Sequence, residues 1–172
     1  MLTMNEIEVL WERAPRSPQQ DGSVELLCVR EIGAHRVVDH AQLTPEAGVV
    51  GARWSAARSP NPEMQVTLMN IHVVRLLASD HAQLHAAGDN VLVDLDLSEG
   101  SLLAGARIRI GDAELEISRA PHTGCGKFSS RFGADALAWV NAPKHASLRL
   151  SGVNCRILKA GAVRVGDRVT IL

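Results

Sequence analysis

The octapeptide Pro121-His122-Thr123-Gly124-Cys125-Gly126-Lys127-Phe128 sets a thiol between two glycines, after an imidazole and just before an ammonium group. Glycines on both sides leave the sulfur unshielded and let the backbone come close to a ligand. The thiolate is the form of cysteine that attacks electrophiles and binds metals, and nearby positive charge favours it. Cys125 is therefore the candidate nucleophile or metal ligand of the chain. His122 is its acid–base neighbour, and Lys127 is a source of positive field. The bland alternative is a surface thiol without a role. Cys28 and Cys155 differ, because each lies within an apolar run, and they read as small core hydrophobes.

Other chemistries find less support. His122 and Cys125 are spaced like two zinc ligands, but a structural zinc needs four and no second close pair stands nearby. His81 and His85 stand at i and i+4 without the glutamate of a zincin motif, so they read as solvated surface residues. No GxSxG elbow, GxGxxG loop or Walker pattern occurs. With a net charge of −1, 3% aromatic residues and no tyrosine, the chain lacks both the basic surface and the stacking groups of a nucleic-acid binder. Three cysteines with no CxxC pair fit a reducing compartment. The first residues lack a basic signal-peptide region, and no apolar run reaches the ~20 residues of a membrane helix. The expectation is a cytoplasmic protein without membrane or nucleic-acid partners.

The elements that must hold Cys125 read as mainly β. Ile7, Leu10 and Trp11 have helical spacing, and Pro15 and Pro18 stop that helix. Residues 1–22 are read as an N-terminal extension, a short helix and linker, and residues 23–172 as one domain. Strands are expected at Val24–Val29, Arg36–Leu43, a run from Val49 to Trp54, Gln65–Met69 and Val91–Leu95, with a short helix at Ile71–Leu77. Ala106–Ile110 and Ala113–Ser118 alternate around Gly111-Asp112, the pattern of a tight hairpin. A helix is expected at Phe132–Asn141, and strands at Leu148–Leu158 and Val163–Leu172. Many short strands closed by glycine-containing turns point to a β-barrel with a few short peripheral helices.

Four segments, in order, resemble the second half of a MOSC domain, named after the C-terminal domain of molybdenum-cofactor sulfurase. They are Gly88-Asp89-Asn90-Val91-Leu92-Val93, the hairpin from Leu103 to Ile117, the Cys125 octapeptide, and Arg149 to Leu158 followed by Gly161 and Gly166-Asp167. The chain departs from the family earlier. It has Gly51-Ala52-Arg53-Trp54 where many members have Gly-Asp-Arg-His, and Ser151 where many have arginine.

The resemblance implies a MOSC-type β-barrel and chemistry linked to a pterin-bound molybdenum cofactor (molybdopterin), with Cys125 as the molybdenum ligand. It implies Arg53, Asn90, Thr123, Lys127 and Arg149 as cofactor-binding residues, with Cys125 and His122 as the catalytic pair. Two activities follow from it. One is an oxidoreductase acting on N-hydroxylated compounds with electrons from a partner protein. The other is a sulfur carrier that takes a persulfide on Cys125 from a cysteine desulfurase. A non-catalytic binding module is the third alternative. Nothing in these residues supports pyridoxal phosphate.

Overall fold

The computed structural model describes residues 1–172. The chain begins with helix α1 (Met4–Arg13), then strands β1 (Asp21–Arg30), β2 (His35–Val38), β3 (His40–Thr44) and β4 (Gly48–Val49). Strand β5 (Val66–Asn70), helix α2 (Ile71–Leu77) and strand β6 (Val91–Asp94) follow, then the hairpin β7 (Arg107–Ile110) and β8 (Ala113–Ile117). Helices α3 (Gly126–Phe132) and α4 (Ala134–Val140) precede β9 (Val153–Lys159), β10 (Gly161–Arg164) and β11 (Arg168–Ile171).

Strands pair in the order β11-β7-β8-β9-β5-β6-β1, and β11 returns to β1, so the sheet closes into a barrel of seven strands with β2 added outside β1. The long β1 makes this possible. Its start pairs with β11, its middle with β6 and its end with β2. β5 and β6 run parallel, with α2 in the crossover between them. A small second sheet, β10-β3-β4, flanks the barrel.

Burial follows the strand period. In β7 and β8 alternate residues point inward, as expected for strands with one wet face. In β6 all of Val91, Leu92 and Val93 are buried, because both faces are covered. Val91 and Val93 join the barrel interior, while Leu92 joins a second apolar cluster with Met69, Phe128, Phe132 and Trp139 beneath the helices. Helix α1 belongs to that outer layer. Thr3 and Glu6 form a capping box at its start, Ile7 is fully buried, and Trp11 meets Trp139 edge-on at 5.6 Å. Cys28 and Cys155 are buried, as their apolar surroundings indicated.

Five expected elements differ from those observed, one of them the strand Val163–Leu172, which is two strands, β10 and β11, in different sheets and parted by a turn at Gly166. The single strand over Arg36–Leu43 is broken at Asp39, because the chain leaves the barrel sheet there to pair with β10. The run from Val49 ends at once, and residues 50–58 form turns. The helix expected at Phe132–Asn141 is α4, which starts only at Ala134, and an unexpected helix, α3, precedes it across Gly133 at φ +99°. Lys127 and Phe128 therefore belong to a helix rather than to the cysteine turn. The strand expected from Leu148 starts only at Val153, since Pro143–Leu148 is a 3-10 turn that ends with Arg149 in left-handed geometry.

Candidate functional site

The segment from Ser118 to Gly124 has no regular structure, yet neighbouring elements hold it almost residue by residue. The Ser118 hydroxyl donates to Glu63 and accepts from the Ala120 amide, both at 2.9 Å. Asn154, from β9, donates to the carbonyls of Ala120 and Pro121 at 3.3 and 3.1 Å. Asn141, at the end of α4, accepts from the Gly124 amide and donates to its carbonyl. Between these anchors, His122 and Ser151 bond twice. Nδ1 of His122 lies 2.5 Å from the Ser151 carbonyl, and the Ser151 hydroxyl donates to the His122 carbonyl at 2.6 Å. A carbonyl only accepts, so Nδ1 carries a proton and Nε2 is the reactive ring nitrogen.

Cys125 emerges from this loop as the residue capping α3, with its side chain exposed. The amide of Phe128 and then that of Lys127 face the sulfur without forming a capping hydrogen bond. Together with the charges of Lys127 and Arg131 they hold the thiol below the ordinary cysteine range, against a smaller opposing effect of burial. The thiol is thus biased toward thiolate.

Three clefts meet at His122. A small one of about 90 Å³ contains Cys125, Thr123, Lys127, Arg53, Asp89 and Ser151. A second, of about 370 Å³, is walled by Arg53, Trp54, Asn61, Asn90 and Asn154. A third, also about 370 Å³, holds Arg149, Arg119, Asn141 and Asn154. Arg53 faces the first two clefts, and Thr123 faces the first and third.

The expected site residues are brought together unequally. Cys125, His122, Thr123, Lys127 and Arg53 share one cleft. Asn90 is 5% exposed, and its Oδ1 accepts from the amide and hydroxyl of Thr67 while its Nδ2 donates to the Cys28 carbonyl. It braces β1, β5 and β6 at the floor of the second cleft. Arg149 is apart from the thiol: it donates to the carbonyls of Leu102 and Leu97 and meets Glu99 at 3.7 Å. Trp54, in the position many MOSC proteins give to histidine, donates its indole N–H to Asn61 and presents its ring to the second cleft.

Other contributors carried no local signal in the sequence. Asp89 sits in a glycine–asparagine turn but is 4% exposed, with Oδ1 lying 3.6 Å from Nε2 of His122 and hydrogen-bonded to nothing. Burial pushes its carboxyl up, opposed by the charges of His122, Arg30 and Arg131. Asn154 is 1% exposed, and its Oδ1 also lacks a partner. Arg30 and Arg131 come from β1 and α3 to the cysteine cleft. His81 and His85 join no cluster able to hold a metal.

Comparisons with known proteins agree with this architecture. The family model for the MOSC domain matches residues 51–170. The YUAD protein from Bacillus subtilis has a similar crystal structure, with a TM-score of 0.60 at 18% identity, covering 88% of this chain and 96% of that one. YiiM from Escherichia coli gives a TM-score of 0.57 at 18% identity, covering 87% of this chain and 69% of that one. YiiM from Geobacillus stearothermophilus gives 0.60 at 13%, covering 88% and 75%. No curated protein matches the chain. No helix is long and apolar enough to cross a membrane.

Proposed function

The chain belongs to the MOSC domain family, and on that premise we propose that it holds a pterin-bound molybdenum cofactor through Cys125 and reduces N-hydroxylated compounds. The observation that carries this reading is an exposed, thiolate-biased cysteine in a small cleft that shares Arg53 and His122 with a second cleft, of about 370 Å³, walled by an indole, an arginine and side-chain amides. The donor set suits the group. Molybdenum takes soft sulfur ligands, and a flat heterocycle matches the Trp54 ring and the amide-bearing wall. Asn154, whose buried Oδ1 has no hydrogen-bond partner, lines the same cleft.

When bound, the cofactor would supply two-electron chemistry at the metal. The chain's own residues would do the rest. Cys125 would ligate the metal as thiolate, with the Phe128 and Lys127 amides balancing its charge. Arg53, at the boundary of two clefts, would hold an anionic group of the cofactor, while Thr123 and Lys127 line the approach. Reductive cleavage of an N–OH group takes up two electrons and two protons and releases water. Nε2 of His122, facing Asp89, is placed to hold one of those protons, since Nδ1 is already committed to Ser151. A separate donor protein would supply the electrons.

Metal analysis tests the reading. Protein made in a host that synthesises the cofactor should contain molybdenum above background, and Cys125→Ser should not. Metal at background in the wild type would end it. The exposure of Cys125 favours a second reading, a sulfur carrier. Incubation with a cysteine desulfurase and cysteine would then add about 32 Da, one sulfur atom, at Cys125. An unmodified, still alkylatable thiol would count against it.

A further inference from the structure

Five arginines of this chain are part-buried: Arg30, Arg53, Arg131, Arg149 and Arg156. Arg149 meets Glu99, and Arg156 meets Glu116 and Glu63. The other three have no ion-pair partner, and all three open into the cleft beside Cys125. Withdrawing a cation from water without a counter-charge is costly, and three cations converging on one place repel one another as well.

The chain relieves that repulsion only in part. Arg131 is fixed over Gly88 by donating to the Ala86 carbonyl at 2.7 Å, and Arg30 reaches Thr67 at 3.4 Å while its Nε stays buried and unpartnered. Asp89 is the only carboxylate in the cleft, and its burial pushes it toward the neutral form. His35, on the same wall, is held below its usual range first by burial and then by the charges of Arg131, Arg30 and Arg53.

We propose that this cleft receives an anionic group of the substrate, a single carboxylate, sulfonate or phosphate, bound by Arg30 and Arg131, with Arg53 left to the cofactor on the side of the larger cleft, while the atom to be reduced faces the metal that Cys125 would hold. The inference rests on the function proposed above in taking Cys125 as the residue that holds the reacting metal. The size suits a small group, because at about 90 Å³ this cleft has roughly a quarter of the volume of either larger cleft that meets it at His122. The chemistry is right too, because guanidinium groups bind carboxylate and phosphate oxygens through paired N–H donors.

Alkylation of metal-free protein tests this without any activity. Iodoacetate carries the charge that the cleft should attract, and iodoacetamide is its neutral twin. The iodoacetate-to-iodoacetamide rate ratio at Cys125 should exceed that of glutathione by roughly tenfold. Arg131→Gln and Arg30→Gln should each lower it by about threefold or more, with the iodoacetamide rate reporting that the thiol remains accessible. A ratio equal to that of glutathione, or one that neither substitution moves, overturns the proposal.

A second arm separates the substrate's anion from a phosphate of the cofactor. Molybdenum-loaded protein should still bind inorganic phosphate in calorimetry, more weakly after Arg131→Gln. Binding confined to metal-free protein would assign the charges to the cofactor and overturn the proposal. The alkylation ratio does not depend on metal content, so background molybdenum would count against the function above and not against this cleft.

Discussion

His122 and Ser151 are joined by two hydrogen bonds running in opposite senses, ring nitrogen to carbonyl at 2.5 Å and hydroxyl to carbonyl at 2.6 Å. The clasp ties the cysteine loop to the turn that enters β9, and it decides which ring nitrogen faces Asp89. Ser151→Ala removes one of the two bonds and leaves the part-buried His122 carbonyl without its donor. The expected cost is about 1 kcal/mol in urea unfolding, with the fold retained. An unchanged unfolding midpoint would show that the clasp adds no stability.

The Phe128 and Lys127 amides, with the Lys127 and Arg131 charges, should make Cys125 react as thiolate at lower pH than an ordinary cysteine. The rate of iodoacetamide modification, followed against pH, should therefore rise to half its plateau below the midpoint measured for glutathione. Lys127→Met removes a cation that favours the anion, so its midpoint should move up. The shift should be partial, because the larger contribution, the Phe128 amide, remains. A midpoint that stays put would remove the Lys127 side chain from the account. Cys28 and Cys155, buried and with pKa values raised by desolvation, should stay unmodified in the folded protein.

Burial raises the pKa of Asp89, so the folded state prefers the protonated carboxyl. The unfolded chain releases that proton near the ordinary aspartate value of about 3.9. Stability should thus fall as pH rises from there toward the folded pKa, and should be flat above it. Asn copies the shape of the neutral acid. Asp89→Asn should be at least as stable as wild type at pH 8 and should lose that decline, as read by urea unfolding across the pH range. A variant with the wild-type pH profile would place the titration elsewhere.

Gly152 adjoins the clasp at φ +96°, and a Cβ there would lie 2.3 Å from the Leu68 carbonyl oxygen. Gly152→Ala combines a disfavoured backbone conformation with a clash against rigid backbone. It should cost on the order of 3 kcal/mol and disturb the cysteine loop. Gly126, beside Cys125, has open space around it and no positive φ, so Gly126→Ala should leave stability unchanged or slightly raise it. Similar melting temperatures for the two variants would contradict this contrast.

The barrel was readable because its strands announce themselves in two ways. β7 and β8 alternate around Gly111-Asp112, and β6 is a short, wholly apolar run whose two faces are both covered. Breaks were harder to see. The division at Asp39 follows from a switch between sheets, which no residue type marks, and α3 was hidden because glycines at its start resemble a turn. The site divided along the same line. Cys125, His122, Thr123 and Lys127 are contiguous, so their association was local. Arg30 and Arg131 look like ordinary surface arginines until β1 and α3 bring them together, and Asp89 looks like a turn residue until burial is known. Arg149 had the right chemical type, but its donors are used on the carbonyls of Leu97 and Leu102.

The three successive partners of β1 also bear on how the molecule comes to exist. Its opening residues wait for β11: Asp21 and Thr170, which pair across the seam, are 149 positions apart. During synthesis the first strand must remain unsealed until almost all of the domain has left the ribosome. Arg30, at the far end of that same strand, reaches its final station only with the barrel around it. Pairing over such separations is slow to nucleate, which sets closure of the barrel among the slower folding topologies.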